Sequence, residues 1–449
     1  MISVSPISGG ASGAAAYYTE EQARAEYYSA EAVPSAWRGS AAQALGLRGP
    51  VAARDLENVL AGRVTDATGE ERQLGTTRGG QHQHRAGWDF TISAPKSVSV
   101  QALVHGDRAA LEAHRRAADA ALGYLERHGA AYRPQSGVYK EGQGLAVATF
   151  EHVSSRARDP QLHTHAVVAN VTIDAEGRAR SLSNERLFSH RRAADAVYHA
   201  TLSRELERAG YAVRFDRDGR VEIDHYKREQ LRDFSTRAQD IEAALAARGL
   251  TREQASAAMR NTLALDTRQV KALPETREAH AARWQAQAEA LGVTPAKPEA
   301  RTLPREPEHE AAARAIDRAT AHLTEREAVF NQADLHREAL RFAQGRAGIE
   351  AIEREIAQRE KAGELLRSDE AQKGARYTTR EALEQERDTE RRLQNGKGAH
   401  QAVMSPREFE AALREFEARK GFDLSQEQRE ASRMILTSDD RFQGVQGLA

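Results

Sequence analysis

Cysteine is absent from all 449 residues, which excludes disulfides, thiolate metal sites and a thiol nucleophile. Long apolar runs are missing too. With no stretch of ~18 apolar residues and no basic-then-apolar leader, neither a membrane span nor a secretory signal is expected. Charge of one sign is lacking, with 65 Lys+Arg against 66 Asp+Glu. Nothing therefore draws the chain as a whole toward nucleic acid or membrane, and a polyanion would have to be held by local patches. A Gly-Lys-Ser/Thr turn, which a Walker A loop needs, does not occur, so no ATP site is expected. Aromatics are scarce at 6%, which makes any cluster of them informative.

What is present is organised unevenly. Twelve of the sixteen histidines precede residue 300, and four of the twelve prolines fall within 295–307. That proline density cannot continue a helix or a sheet and predicts a linker over 294–307. Before it, 87–94, 144–153 and 163–173 alternate or run apolar with β-favouring residues and read as strands. Residues 107–129 carry apolar positions at helical spacing and end in Gly. Further helices are expected over 190–210, 227–250 and 251–262, with a hairpin at 211–224 turning on Asp218-Gly219. Residues 308–373 are nearly pure helix former and read as a solvated helical pair or stalk. Ser405-Pro406-Arg407-Glu408 and Ser425-Gln426-Glu427-Gln428 each carry the pattern that opens a helix. The closing RFQGVQGLA reads as a strand running into a Gly-containing turn.

The strongest chemical signal is His152 followed, after a short polar loop, by His163-Thr164-His165. Side chains at i and i+2 of a strand share a face, so His163 and His165 project together. The loop 154–162 is long enough to bring the preceding strand back alongside, with His152 opposite the pair. Three imidazoles with no Cys and no fourth protein ligand make an open divalent-metal site, able to polarise a substrate oxygen. A His-x-His alone is more often no metal site at all; the third histidine is what favours metal. The second signal is Tyr17-Tyr18 and Tyr27-Tyr28: four of eleven tyrosines within twelve residues. The pairs lie a little under three helical turns apart. Such pairs also suit a helix core. As chemistry, a phenol of pKa ~10 is a phosphoryl-accepting nucleophile that needs a base or a metal-polarised electrophile.

These residues sit in a longer pattern. Tyr17-Tyr18, Tyr27-Tyr28, Trp37, LGLRG (45–49), GWDFTISAPKSVSV (87–100), FEHVSSRARDPQLHTHAVVANVT (150–172), LERAGYAVRF (206–215), DFSTRAQDIE (233–242) and LDTRQVKA (265–272) follow one another in order. The pattern resembles the relaxase domain of MobF-type conjugative relaxase-helicases, the TrwC/TraI family, over about residues 1–293. The resemblance implies an α+β HUH endonuclease fold, a central antiparallel sheet flanked by helices under a helical lid, with a mostly α-helical region after it. It places three metal ligands on His152, His163 and His165, and the nicking tyrosine on Tyr17. It places a second catalytic tyrosine on Tyr27, with Tyr18 and Tyr28 completing the catalytic pairs. Asp89 matches a carboxylate that orients a ligand histidine; a solvated strand-edge carboxylate is its other reading. Lys96, Ser97, Arg156 and Arg158 are candidate DNA contacts, or else ordinary solvated charges and a strand-end hydroxyl. Phe90 and Ile92 depart from relatives only in the choice of apolar residue.

The implied activity is site-specific nicking and rejoining of single-stranded DNA at an origin of transfer through a 5′-phosphotyrosine. The implied cofactor is a divalent metal, magnesium or manganese first, with zinc or nickel able to take the same site. The implied partners are single-stranded DNA, relaxosome accessory proteins and a type IV secretion coupling protein, without membrane insertion. The implied setting is the bacterial cytoplasm, with delivery to a recipient cell. Residues 374–449 resemble the start of a superfamily-1 helicase domain, where Gln428 matches an adenine-recognising glutamine or simply caps its helix. On that reading the chain is the N-terminal part of a longer relaxase-helicase, with no ATPase of its own. A metal-dependent hydrolase using water, and a non-catalytic DNA-binding module, are the rival classes.

Overall fold

The alternation at 87–94, 144–153 and 163–173 becomes the centre of an antiparallel sheet. The computed structural model describes residues 1–8, 10–27, 35–134, 137–251, 254–256, 259, 262–263, 277–299, 306–370 and 374–447. In chain order the elements that frame the site are β1 (Ile2–Pro6), α1 (Gly10–Tyr27), β2 (Ser35–Arg38), β3 (Gly87–Ser93), α2 (Arg108–Gly129), β4 (Val147–Ser154), β5 (Pro160–Ala169) and α3 (Arg191–Arg208). The five strands lie in the order β1-β3-β5-β4-β2, every neighbouring pair antiparallel. Gly87 opens β3 at φ 144°, where an added Cβ would meet the Val168 carbonyl oxygen at 2.2 Å. Only glycine lets the two strands approach so closely there.

The sheet has two differently covered faces. On one, Ala14, Ala15 and Tyr18 of α1 pack with Trp37, Phe150, Val167 and Ala169 in one apolar cluster. Phe90, Ile92, Ala166 and Val168 point to the other face, where all four are buried and α2 and α3 lie against each other. Asp107 caps α2, accepting from Ala110 N at 2.9 Å, and Ala110, Ala113, Ala117, Ala118 and Ala121 form its buried stripe. Alanines at that spacing let helices come close.

The hairpin expected at 211–224 forms, with Val213–Phe215 paired to Val221–Ile223. The single helix expected over 227–250 is instead two, Arg228–Asp233 and Thr236–Ala246. The Asp159 carboxylate accepts from Thr236 N at 3.0 Å and Thr236 Oγ1 at 2.7 Å, restarting the helix there. Half of the residues of the helix expected at 251–262 lie outside the described residues.

Two units make up the chain: Met1–Ala362 with Arg367–Tyr377, and Gly363–Leu366 with Thr378–Ala449. The first unit extends well past the proline-rich stretch, part of which lies against the core: Gln101 bonds both the N–H and the carbonyl of Ala296, at 3.0 and 3.1 Å. The helices of 308–373 are not a solvated pair. They are α4 (Glu308–Thr324), α5 (Gln332–Ala343) and α6 (Ile349–Ala362), and α5 rests on α3. Ala311, Ala315, Ile316, Leu335, Leu340, Ile352 and Ile356 are buried among them. In the second unit both capping boxes form, Ser405 with Glu408 and Ser425 with Gln428, so Gln428 is engaged as a helix cap. The closing strand is not formed: 442–447 has no regular structure.

Candidate active site

Strand register assembles the site. His152 lies opposite His163, and Phe150 opposite His165; on the other side of β5, Thr91 faces His165 and Ser93 faces His163. Cross-strand partners share a face. Asp89, Thr91, Phe150, His152, His163 and His165 therefore stand on the side that α1 covers. The three imidazole centroids are 5.3, 5.0 and 5.1 Å apart, and one ring nitrogen from each falls within 4.8 Å of the others.

The outer hydrogen bonds fix which nitrogens face inward. His165 Nδ1 lies 2.7 Å from Asp89 Oδ2 and His163 Nδ1 lies 2.9 Å from the Gln161 carbonyl. A carboxylate and a carbonyl only accept, so both histidines carry the proton on Nδ1 and offer Nε2 as the ligating atom. Asp89 Oδ1 is buried with no hydrogen-bond partner, which adds uncompensated negative potential beside the rings. Three convergent imidazoles, two of them with Nδ1 held by a carbonyl or a carboxylate, fit a divalent cation with open coordination positions.

The tyrosine pair divides its labour. Tyr18 is buried, stacked on Phe150 with centroids 5.4 Å apart and 5.8 Å from His165. Its hydroxyl donates to Asp89 Oδ2 at 3.0 Å, so Asp89 links α1 to the histidine cluster. Tyr17 is 45% exposed and meets Tyr18 edge-on at 5.1 Å. Tyr27 ends α1, and Tyr28 lies outside the described residues.

The candidate DNA contacts need correction. Ser97 is fully buried; its Oγ bonds the Glu222 carboxylate and accepts from Ile223 N at 2.9 Å, so it cannot reach a phosphate. Lys96 Nζ donates to the Pro160 and Phe234 carbonyls at 2.8 and 3.0 Å. Withdrawal from water pushes its pKa down to about 8 against the pull of Asp159 and Glu222; it ties β5 to the helices beyond rather than presenting charge. Arg156 is exposed. Arg158 adopts φ 64°, and its carbonyl accepts from Trp284 Nε1 and Arg283 Nη2, both at 2.8 Å. The helix Arg277–Ala290 thus pins the loop between the two histidine-bearing strands. Thr91, 3.4 Å from His165 Nδ1, and Phe150 were not singled out from sequence. The signal was available: each lies two residues from a named site residue, Asp89 or His152, on the same strand face.

Residues 11–291, more than half of the chain, match the model of the TrwC relaxase family. The chain is 34% identical over 288 residues to the multifunctional conjugation protein TraI of Escherichia coli, covering 60% of this chain and 15% of that protein. It therefore spans only 15% of the length of that curated relative. Among solved structures, the conjugative relaxase TrwC in a metal-free complex with oriT DNA is 36% identical, with a TM-score of 0.56, covering 66% of this chain and all of that one (100%). A metal-bound TrwC–oriT DNA structure gives a TM-score of 0.58 at 36% identity, over 66% of this chain and 99% of that one.

Proposed function

Because the chain belongs to the TrwC relaxase family, we propose that it nicks and rejoins one DNA strand at an origin of transfer, with Tyr17 as the nucleophile. The observation that carries this reading is the link running from three clustered imidazoles through Asp89 to Tyr18, the residue next to an exposed phenol.

A divalent cation held by His152, His163 and His165, magnesium or manganese first, would neutralise charge developing on the non-bridging oxygens of the scissile phosphate. The Tyr17 oxygen attacks phosphorus in line and the 3′-oxygen of the preceding nucleotide leaves, giving a 5′-phosphotyrosine and a free 3′-OH. One phosphoester is exchanged for another, so attack by a 3′-OH restores the strand without an energy source. Asp89 holds the His165 tautomer and Tyr18 holds Asp89. Tyr27, on the same helix, is the proposed second nucleophile that ends transfer, within catalytic pairs that Tyr18 and Tyr28 complete. Arg156 and Arg158 sit on the loop between the ligand strands, and Arg156 offers an exposed contact to the backbone of single-stranded DNA. Relaxosome accessory proteins and a secretion coupling protein are the proposed partners of the full-length protein in the bacterial cytoplasm and on delivery to a recipient. The helicase-like tail belongs to the same proposal. Among the described residues no helix is long and apolar enough to cross a membrane.

The test is a suicide oligonucleotide carrying a candidate nic site, followed by mass spectrometry of the DNA-linked peptide. An SDS-resistant adduct on Tyr17, abolished by EDTA, is the expected result. Cleavage without any adduct would indicate a hydrolase that uses water, and binding indifferent to EDTA a non-catalytic module.

A further inference from the structure

A second group of ligand-type side chains lies away from the sheet, where α2 meets α5 and α6. His128 of α2, His336 of α5 and Glu353 of α6 each bring one ligand atom within 4.8 Å of the others. His336 is fully buried, and its Nε2 has no hydrogen-bond partner. Its Nδ1 lies 2.9 Å from the Tyr124 hydroxyl, which is also 2.9 Å from His190 Nδ1. A hydroxyl has one proton. If Tyr124 donates to His190, it accepts from His336 Nδ1–H, and the His336 Nε2 lone pair then faces the cluster. The opposite arrangement would bury an N–H with nothing to receive it.

We propose that His128, His336 and Glu353 form a second divalent-cation site, of the zinc class, that clamps the helices after the proline-rich stretch to the helix backing the central sheet. Two imidazoles and one carboxylate suit zinc, and the part-exposed sides of His128 and Glu353, 17% and 30% accessible, leave room for a water as fourth ligand. Tyr124 then plays for His336 the part that Asp89 plays for His165. Burial holds His336 well below its ordinary pKa, the neutral form a ligand needs. Without a cation, His128 Nε2 and Glu353 Oε1 bond each other at 2.8 Å. Tetrahedral ligation with bonds of 2.0–2.2 Å needs them about 3.3 Å apart, so binding spreads the pair. Arg127, 3.8 Å from the same Glu353 oxygen, gives up part of its hold.

The test isolates this site from the sheet cluster. The full chain carrying His152→Ala and His163→Ala, stripped with chelator and passed through desalting, is titrated with Co2+ and with Zn2+. The expected result is one zinc per chain by mass spectrometry and a tetrahedral cobalt absorption band. Both should weaken at least ~100-fold on adding Glu353→Gln, which keeps shape and removes charge, or separately His128→Gln. Circular dichroism matched between variants shows that the fold persists. No bound ion in the sheet-cluster variant, or binding indifferent to both further substitutions, overturns the proposal.

Discussion

On one face of the central sheet, three imidazoles turn toward one another with centroids no more than 5.3 Å apart. On the other, His114 has both nitrogens spent: Nδ1 is 2.8 Å from Tyr198 Oη and Nε2 is 3.1 Å from Thr164 Oγ1. Thr164 sits between His163 and His165, so adjacent residues of one strand serve opposite ends. The same sealed face holds Glu151, gripped by Arg115 at 2.7 and 2.8 Å, one residue from His152. The difference lies in what the rings meet. Both nitrogens of His114 are held by hydroxyls of its own chain, a structural arrangement, whereas His163 and His165 have Nδ1 backed by a carbonyl and a carboxylate, the arrangement that orients a ring toward a cation.

The largest effect that breaks this comparison is expected at the exposed phenol. Tyr17→Phe should lower covalent adduct formation by ~10⁴-fold or more, as removal of a nucleophile does elsewhere, while gel-shift affinity for the oligonucleotide changes by less than ~3-fold. Next comes the open face itself. His163→Ala should abolish measurable Mn2+ binding at the sheet cluster by calorimetry and reduce nicking by ~10²–10³-fold. His114→Phe, on α2 against the sealed face and bonded to Thr164 beside His163, should lower the melting temperature and leave the Mn2+ titration at that cluster unchanged. Loss of metal from the His114 variant as well would erase the distinction between the faces.

Much of this site was legible because its signals are local. Strand alternation puts His163 and His165 on one face and the length of the intervening loop puts His152 opposite them, and Ser405 and Ser425 cap helices where their short-range patterns say they should. What stayed hidden depends on distant partners. Tyr18 and Asp89 are 71 residues apart, and no periodicity reports that bond. Ser97 looked like a strand-end hydroxyl, but the helical turn starting at Lys96 rotates it inward onto Glu222. The alanine-rich faces of α4 and α5 read as generic helix former. Whether such a face is solvated depends on α3 lying opposite, which composition cannot show. RFQGVQGLA has strand residues but gains no paired strand among the described residues, and an unpaired strand has no ladder to stabilise it.

A finer break concerns the residues behind the ligands. Asp89→Asn keeps size and removes charge, so cation affinity should fall ~10–100-fold, with nicking restored in part by excess Mn2+. Tyr18→Phe removes only one hydrogen bond to that carboxylate. A stability loss of about 1 kcal/mol and a nicking loss below ~10-fold are expected. If Tyr18→Phe were instead as damaging as Tyr17→Phe, the second phenol of the pair would be a nucleophile and not a support.

The last expected effect is read in acid stability and not in nicking, and it tests the sealed face directly. Burial, aided by the nearby N-terminal ammonium, His163 and Arg115, lowers the His114 pKa from 6.5 to about 3. Between those values the unfolded chain holds a proton on this residue that the folded chain refuses. Stability therefore rises with pH through that window and is lost as pH falls from 6.5 toward 3. Each sealed histidine adds up to about 1.4 kcal/mol per pH unit to that slope. Denaturant midpoints measured from pH 7 to pH 4 should thus fall less steeply for His114→Phe than for the unaltered chain, even though the variant starts lower. His190, held down to about 3 by its own burial, keeps part of the slope in both. Equal slopes would mean that the folded protein accepts the proton, which requires the His114 ring to reach water and its bonds to Tyr198 and Thr164 to open.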